Sequence, residues 1–355
     1  MHSPRRVILC AGKQTPGTVM SDPYKLAIVG CGRHARYTLA PLWRDIPMIE
    51  PVAASDVHQE SLSDFAEDID IANTYVDVDK MLAEQQPDIL IVASWPASHL
   101  ENVLAGVRAG VRAIFCEKPM ALNAAQAKEM VQAAKSANVL LMEGFMSRYH
   151  PQLLAVKQRI IDGAIGEVRY MRASFSTGTA DRANWRLRGE LGGGAAMDLG
   201  CYCLSGIRYQ LGAEPLSVSA TGTFDDDAGV WETLMGTLHF AGEVKAQFDC
   251  SFGLPRRGSY EVVGTEGTIV VPVAEWSLPK DPAFSFTLSH GDRADLPPET
   301  VNITGVNPYR EQLLDLCNAL STGNAPRLTP DDALANMRVI DAVHESARIG
   351  QRINI

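Results

Sequence analysis

The segment Gly30-Cys31-Gly32-Arg33-His34-Ala35 follows directly on the apolar run Lys25–Val29 and opens a helical stretch, His34–Trp43. This G-x-G-x-x-A turn constrains the fold more than any other feature of the chain. Gly30 and Gly32 let backbone N–H groups approach an anion, the helix N-terminus adds a favourable dipole, and Ala35 permits close helix–strand packing. Such a turn works when a buried parallel strand delivers it to the carboxyl edge of a sheet. The downstream pattern supplies that sheet. Extended segments are expected at Ile49–Ala54, Thr74–Val76, Ile89–Ala93, Arg112–Cys116 and Val139–Met142, alternating with helices at Gln59–Glu67, Lys80–Gln85, Ser98–Ala109 and Ala124–Ala137. Short apolar strands between amphipathic helices predict a doubly wound parallel sheet covered on both faces.

The second half reads differently. A helix over Pro151–Gly163 is broken at Ala164-Ile165-Gly166. Long strand-like stretches follow at Glu167–Ser176, Leu216–Thr223, Trp231–Phe240, Glu243–Ser251, Ser259–Val263 and Gly267–Val271. Ala241-Gly242 and Gly264-Thr265-Glu266-Gly267 mark tight turns between strands, and a helix over Pro330–Arg348 closes the chain. The expected fold is α/β: an N-terminal Rossmann sheet plus a C-terminal α+β domain with a large, open, mainly antiparallel sheet. The bare face of that sheet predicts a homodimer or homotetramer. At 355 residues the chain exceeds one typical core. The expected division is 1–22 as a disordered extension (or an upstream start, with Met20 the initiator), 23–144 as the nucleotide-binding domain and 145–355 as the substrate-binding and oligomerisation domain.

The net charge of −10 argues against nucleic acid, which needs a basic face. No apolar run reaches the roughly 18 residues that span a bilayer. Arg5-Arg6 with Val7–Leu9 is too short a segment for an export signal, so a cytoplasmic location is expected. Seven scattered cysteines read as reduced core residues. Cys201-x-Cys203 has no second pair at ligand spacing, so no metal is expected.

Asp56 closes the second strand 26 residues after Gly30. A carboxylate there accepts from the adenosine ribose hydroxyls and repels a 2′-phosphate, which favours NAD over NADP. A plain helix N-cap is the alternative for Asp56. Gly30, Gly32, Arg33 and His34 belong to the turn itself. Ser94 and Trp95 end the fourth strand and His99 begins the next helix, so all three are cofactor candidates, His99 equally a structural histidine.

Two segments carry the chemistry. Lys118, in Glu117-Lys118-Pro119, stands where the strand Arg112–Cys116 runs out, beside the nucleotide edge. Farther on, Gly192-Gly193-Gly194 precedes Asp198 and Tyr202. If that stretch is helical, the two lie at i and i+4 on one face. A carboxylate beside a phenol suits a substrate with several hydroxyls. A glycine-rich packing site between domains, with Tyr202 an ordinary buried tyrosine, is the alternative.

These elements, in this order, resemble the Gfo/Idh/MocA oxidoreductases from Lys25 to Ile355. The resemblance also covers Glu143-Gly144-Phe145-Met146-x-Arg148-Tyr149-His150-Pro151, Gly163-x-Ile165-Gly166, Asn184-Trp185-Arg186 and Gly264-Thr265-Glu266-Gly267. It implies that Lys118 reaches the active site beside a nicotinamide. Many members carry histidine four residues after the aspartate; Tyr202 stands there instead. This is similar to the subgroup of glucose–fructose oxidoreductase, aldose 1-dehydrogenases and dimeric dihydrodiol dehydrogenases. The resemblance adds Trp185 and Arg186, and with them Glu117, Lys118 and Arg148, to the cofactor contacts; the alternative for Glu117 is a structural role, satisfying backbone at the turn that Pro119 stiffens. It makes Phe145, Arg148, Tyr149, Asp181, Asp198 and Tyr202 candidates for the substrate wall, with Lys118.

The expected reaction is NAD(P)-dependent hydride transfer at a sugar or polyol carbinol. Tyr202 is the expected acid/base, its pKa of ~10 lowered by the Lys118 ammonium, and Asp198 orients a hydroxyl or Lys118. Lysine as the proton-transfer group remains open. The alternatives are a trans-dihydrodiol dehydrogenase, a glucose–fructose-type enzyme that retains its cofactor, and a non-enzymatic nicotinamide nucleotide sensor.

Overall fold

The computed structural model describes residues 22–178, 181–277, 284–291 and 297–355. Apart from residue 22, the expected N-terminal extension lies outside the described residues, as does Cys10.

The first half forms six strands: β1 (Tyr24–Val29), β2 (Ile49–Ser55), β3 (Thr74–Tyr75), β4 (Ile89–Val92), β5 (Ala113–Glu117) and β6 (Leu140–Gly144). Four helices connect them: α1 (Gln59–Ile69), α2 (Val78–Gln85), α3 (Pro96–Ala109) and α4 (Ala124–Ser136). The strand order is β3-β2-β1-β4-β5-β6, and each pairing is parallel. Leu26, Ala27 and Ile28 of β1 and all of β4 are fully buried, as expected for strands covered on both faces. The order reverses between β1 and β4, which opens a crevice at their carboxyl ends.

The expected helix over His34–Trp43 is not regular. Ala35–Leu39 forms a π turn, with Ala40 N–H bonding Ala35 O, and Ala40–Asp45 is 3₁₀. Pro41 lacks an N–H and crowds the carbonyl four residues back, so an α ladder cannot run through it.

The second half begins with α5 (Pro151–Ile161) and β7 (Val168–Ser176). Then come α6 (Cys201–Leu211), β8 (Ser217–Asp225), β9 (Val230–His239), β10 (Lys245–Ser251), β11 (Arg257–Gly264) and β12 (Gly267–Val271). β13 (Phe284–His290), β14 (Glu299–Ile303), α7 (Pro308–Thr322), α8 (Pro330–Ile349) and β15 (Ile353–Asn354) complete it. The nine-stranded order is β14-β13-β12-β11-β7-β10-β9-β8-β15. β7 and β10 pair in parallel; every other pairing is antiparallel. The sequence reading stopped short of β13, β14, β15 and α7, although Phe284-Ser285-Phe286-Thr287-Leu288 alternates cleanly. Asn307-Pro308 is likewise a helix start, and the Asn307 side chain caps Tyr309 and Arg310 N–H.

The two sheets are held together by α8. Asp341 Oδ2 accepts the N–H of Ala124, the first residue of α4, at 2.8 Å. α7 packs against β5 and β6 of the first sheet.

Candidate active site

Gly30 has φ +94°, and a Cβ there would stand 2.4 Å from Ser94 N, so only glycine lets β1 and β4 close on each other. A Cβ on Gly32 would meet nothing within 4 Å. The turn is thus tight behind and open in front, a cradle that fits a diphosphate. Asp56 ties it down: its carboxylate accepts Cys31 N–H at 2.7 Å and His58 N–H at 2.8 Å. Trp95 is 40% exposed, with its ring 5.5 Å from that of His58 beside Asp56. Arg33 lies on the outer side, its guanidinium 5.6 Å from the Tyr37 ring.

The E-K-P turn is braced from three elements. Glu117 Oε1 meets His34 Nε2 at 3.1 Å, and its Oε2 accepts Lys118 N–H. His99 is fully buried, with Nδ1 at the Pro119 and Met120 carbonyls and Nε2 at the Ser94 carbonyl. Glu143 Oε1 accepts Met120 N–H at 2.8 Å. Burial would raise the Glu117 carboxyl, but His34 and Lys118 outweigh that and hold it below its ordinary value. Burial dominates at Glu143 and pushes it up to about 8.

Lys118 and Asp198 then meet across the two sheets. Lys118 Nζ donates to Asp198 Oδ1 at 2.9 Å and to Asp198 O at 3.0 Å. Arg186 Nε donates to Asp198 Oδ2 at 2.6 Å and stacks over Trp185, 4.9 Å from its centroid. Burial alone would raise Asp198, but the two cations hold it at about 2. Burial would lower Lys118, and the Asp198 carboxylate reverses this, so its pKa is raised. Lys118 Nζ also lies 4.9 Å from the centroid of the Tyr202 ring. Asp198 sits in a π turn, Ala196–Gly200, that leads into α6, so the expected regular i, i+4 spacing is widened there, yet both side chains still meet Lys118.

The glycine run preceding Asp198 serves packing. Gly194 N–H bonds Arg186 O at 2.8 Å, a Cβ on Gly193 would stand 2.4 Å from the same oxygen, and one on Gly192 would strike Leu122 and Pro96. These contacts bring the Trp185-Arg186 backbone onto the segment that carries Asp198.

The surroundings of several candidates differ from those expected. The Tyr202 pKa is not lowered. The phenol is 7% exposed among Phe145 and Phe175, and burial pushes it well above its ordinary value, aided by the nearby anions. Arg148 is buried on Ser205 and Asp332 with its guanidinium over Tyr209. Tyr149 donates to Asp315 Oδ2 at 2.8 Å, also inside the fold. Asp181 is exposed and accepts Ala183 N–H. Phe145 backs the Tyr202 ring at 4.9 Å rather than lining an open wall. Both ring nitrogens of His99 face backbone carbonyls. Ser94 Oγ accepts from Ser98 and Asn102.

Sequence reasoning missed Glu143, Phe175 and Tyr309. An acid within the apolar stretch Leu140–Gly144 and an inward aromatic on β7 were both visible signals. Tyr309 required recognising α7.

Two family models match the chain: the oxidoreductase family with NAD-binding Rossmann fold over residues 24–145, and the GFO/IDH/MocA C-terminal domain over residues 153–270. A D-xylose 1-dehydrogenase (NADP(+)) of Haloferax volcanii is 29% identical over 307 residues, covering 86% of this chain and 92% of that protein. A trans-1,2-dihydrobenzene-1,2-diol dehydrogenase of Xenopus laevis is 34% identical over 64% of this chain and 67% of its own length. Among solved structures, the aldose-aldose oxidoreductase of Caulobacter crescentus superimposes with TM-score 0.84 at 27% identity, covering 94% of this chain and 100% of that one.

Proposed function

The chain belongs to the Gfo/Idh/MocA oxidoreductases, and we propose that it moves a hydride between a nicotinamide dinucleotide and the carbinol carbon of an aldose or polyol. The observation that carries this reading is the buried cluster at the nucleotide crevice, in which Lys118 joins Asp198 and overlies the ring of Tyr202. Its likeness to a xylose dehydrogenase and an aldose-aldose oxidoreductase points to a sugar-like substrate.

The bound dinucleotide supplies the hydride acceptor or donor. Gly30, Gly32 and the following turn hold its diphosphate, and Asp56 and Glu117 receive ribose hydroxyls, with NAD preferred over NADP. Asp198 fixes Lys118 Nζ, and Arg186 balances the second carboxylate oxygen. Tyr202 Oη is the proton-transfer atom. With both Tyr202 and Lys118 raised, the resting site is in its acid form. It is ready to donate a proton to a carbonyl; in the oxidative direction Tyr202 must first lose its proton.

Residues 23–144 act as the cofactor domain and 145–355 as the substrate and self-association domain. The uncovered sheet face carries the pairs Arg172–Glu261 and Tyr170–Gln247 beside exposed Met235 and Val270, a surface suited to a second copy. A monomer by light scattering at micromolar concentration would remove this last point.

The test is a spectrophotometric screen of NAD and NADP against aldoses, polyols and trans-dihydrodiols. Turnover of aldoses is expected. Turnover of dihydrodiols alone moves the reading to the second relative's chemistry, and dinucleotide binding without any turnover makes the chain a sensor.

A further inference from the structure

Tyr309 opens α7, more than a hundred residues after Tyr202, yet returns to the nucleotide crevice. Its ring lies against that of His34, with centroids 5.6 Å apart and planes tilted by 58°. His34 in turn meets Glu117 Oε1 at 3.1 Å, and Glu117 adjoins Lys118. The neighbouring Arg310 reaches Asp45 O at 3.4 Å, which ties the start of α7 to the segment after the glycine turn. The Tyr309 hydroxyl is within electrostatic reach of Tyr202, Glu117, Lys118 and Asp198, and burial raises its pKa. An aromatic ring from the last sixth of the chain therefore stands over the seam between the diphosphate cradle at Gly32 and the lysine at the end of β5.

A dinucleotide that places its diphosphate at Gly32 and its reactive ring near Lys118 must cross this seam with its nicotinamide riboside half. We propose that Tyr309 is a positioning residue: its ring walls the nicotinamide end of the cofactor site. Oxidised nicotinamide is an electron-poor cation, and the face of a phenol attracts it. The inference rests on the nicotinamide reading of the crevice and is independent of which alcohol is oxidised.

Isothermal titration without substrate separates the two halves of the cofactor. The probes are NAD and ADP-ribose, which lacks nicotinamide, with NADP and its 2′-phosphorylated ADP-ribose run in parallel. For Tyr309→Leu, NAD affinity should fall by roughly tenfold, the loss of one cation–π contact, while ADP-ribose affinity stays within about twofold of wild type. Tyr309→Phe keeps the ring and should keep NAD affinity. The Leu variant fills most of the volume and guards against a folding failure in Tyr309→Ala. Equal losses for NAD and ADP-ribose, or NAD binding by the Leu variant within about twofold of wild type, overturn the assignment. A screen that finds no alcohol turned over leaves this test intact, because binding alone is read.

Discussion

Replacing Asp198 by asparagine removes the anion shared by Lys118 and Arg186 while keeping the shape of the side chain. The cost can be worked from the structure. The carboxyl is held at about 2 against an ordinary 3.8, which corresponds to roughly 2–3 kcal/mol. Breaking a buried pair from one side costs about 3–5 kcal/mol, because the remaining charge has no partner. Lys118 keeps a second acceptor in the variant, the backbone carbonyl of residue 198, which favours the lower end, so about 3 kcal/mol is expected. A group with a depressed pKa contributes stability above its unfolded value and loses it as pH falls through the folded one. The difference between Asp198→Asn and wild type should therefore be flat from pH 8 to about 5 and shrink only below about 4. Urea unfolding followed by far-UV circular dichroism at several pH values measures it. In the active enzyme, the loss of the carboxylate should also move the alkaline limb of the pH–rate profile downward. A variant within about 0.5 kcal/mol of wild type at pH 7, or a difference that already fades between pH 8 and 6, would refute the charge-sharing argument.

Tyr202→Phe removes only the hydroxyl and keeps the contacts with Phe145, Phe175 and Lys118, so stability should hold while kcat drops by roughly 10²–10⁴; a decrease under about threefold in steady-state kinetics would take Tyr202 out of proton transfer. Glu143, raised to about 8 from 4.5, keeps its proton in the folded state where the unfolded chain has lost it. Wild-type stability should thus decline from about pH 4.5 to 8. Glu143→Gln should flatten that decline and gain its largest advantage near pH 8, whereas equal destabilisation at every pH in thermal melts would contradict the assignment. Asp56→Ser loosens the glycine turn and removes the repulsion of a 2′-phosphate, so the ratio of kcat/KM for NADP over NAD should rise by roughly tenfold or more. An unchanged ratio would leave the ribose role of Asp56 without support.

Much of the fold was legible because its signals are local. β1, β4 and β5 are buried on both faces and read as unbroken apolar runs. Helices α3, α5, α7 and α8 begin with proline in the first turn. Where a second force competed, the reading went astray: Pro41 turned an expected α-helix into π and 3₁₀ turns. In the site, the residue types Lys118, Asp198 and Tyr202 were legible, and the fold brings Lys118 onto both of the others. Arg148 and Arg186 were indistinguishable as candidates, yet only Arg186 reaches Asp198, while Arg148 is enclosed by Ser205, Asp332 and Tyr209.

By itself, then, the sequence determined the nucleotide-binding turn, the parallel sheet that delivers it and the kinds of side chain available for chemistry, since these follow from backbone sterics and hydrophobic periodicity over short spans. Tertiary structure alone decided the protonation of those groups and their pairing. Burial and the placement of charges from distant segments bring Asp198 between two cations, lift Tyr202 instead of lowering it, and carry Tyr309 back to the glycine turn. Desolvation and Coulomb energies depend on distances in space, which residue order does not encode.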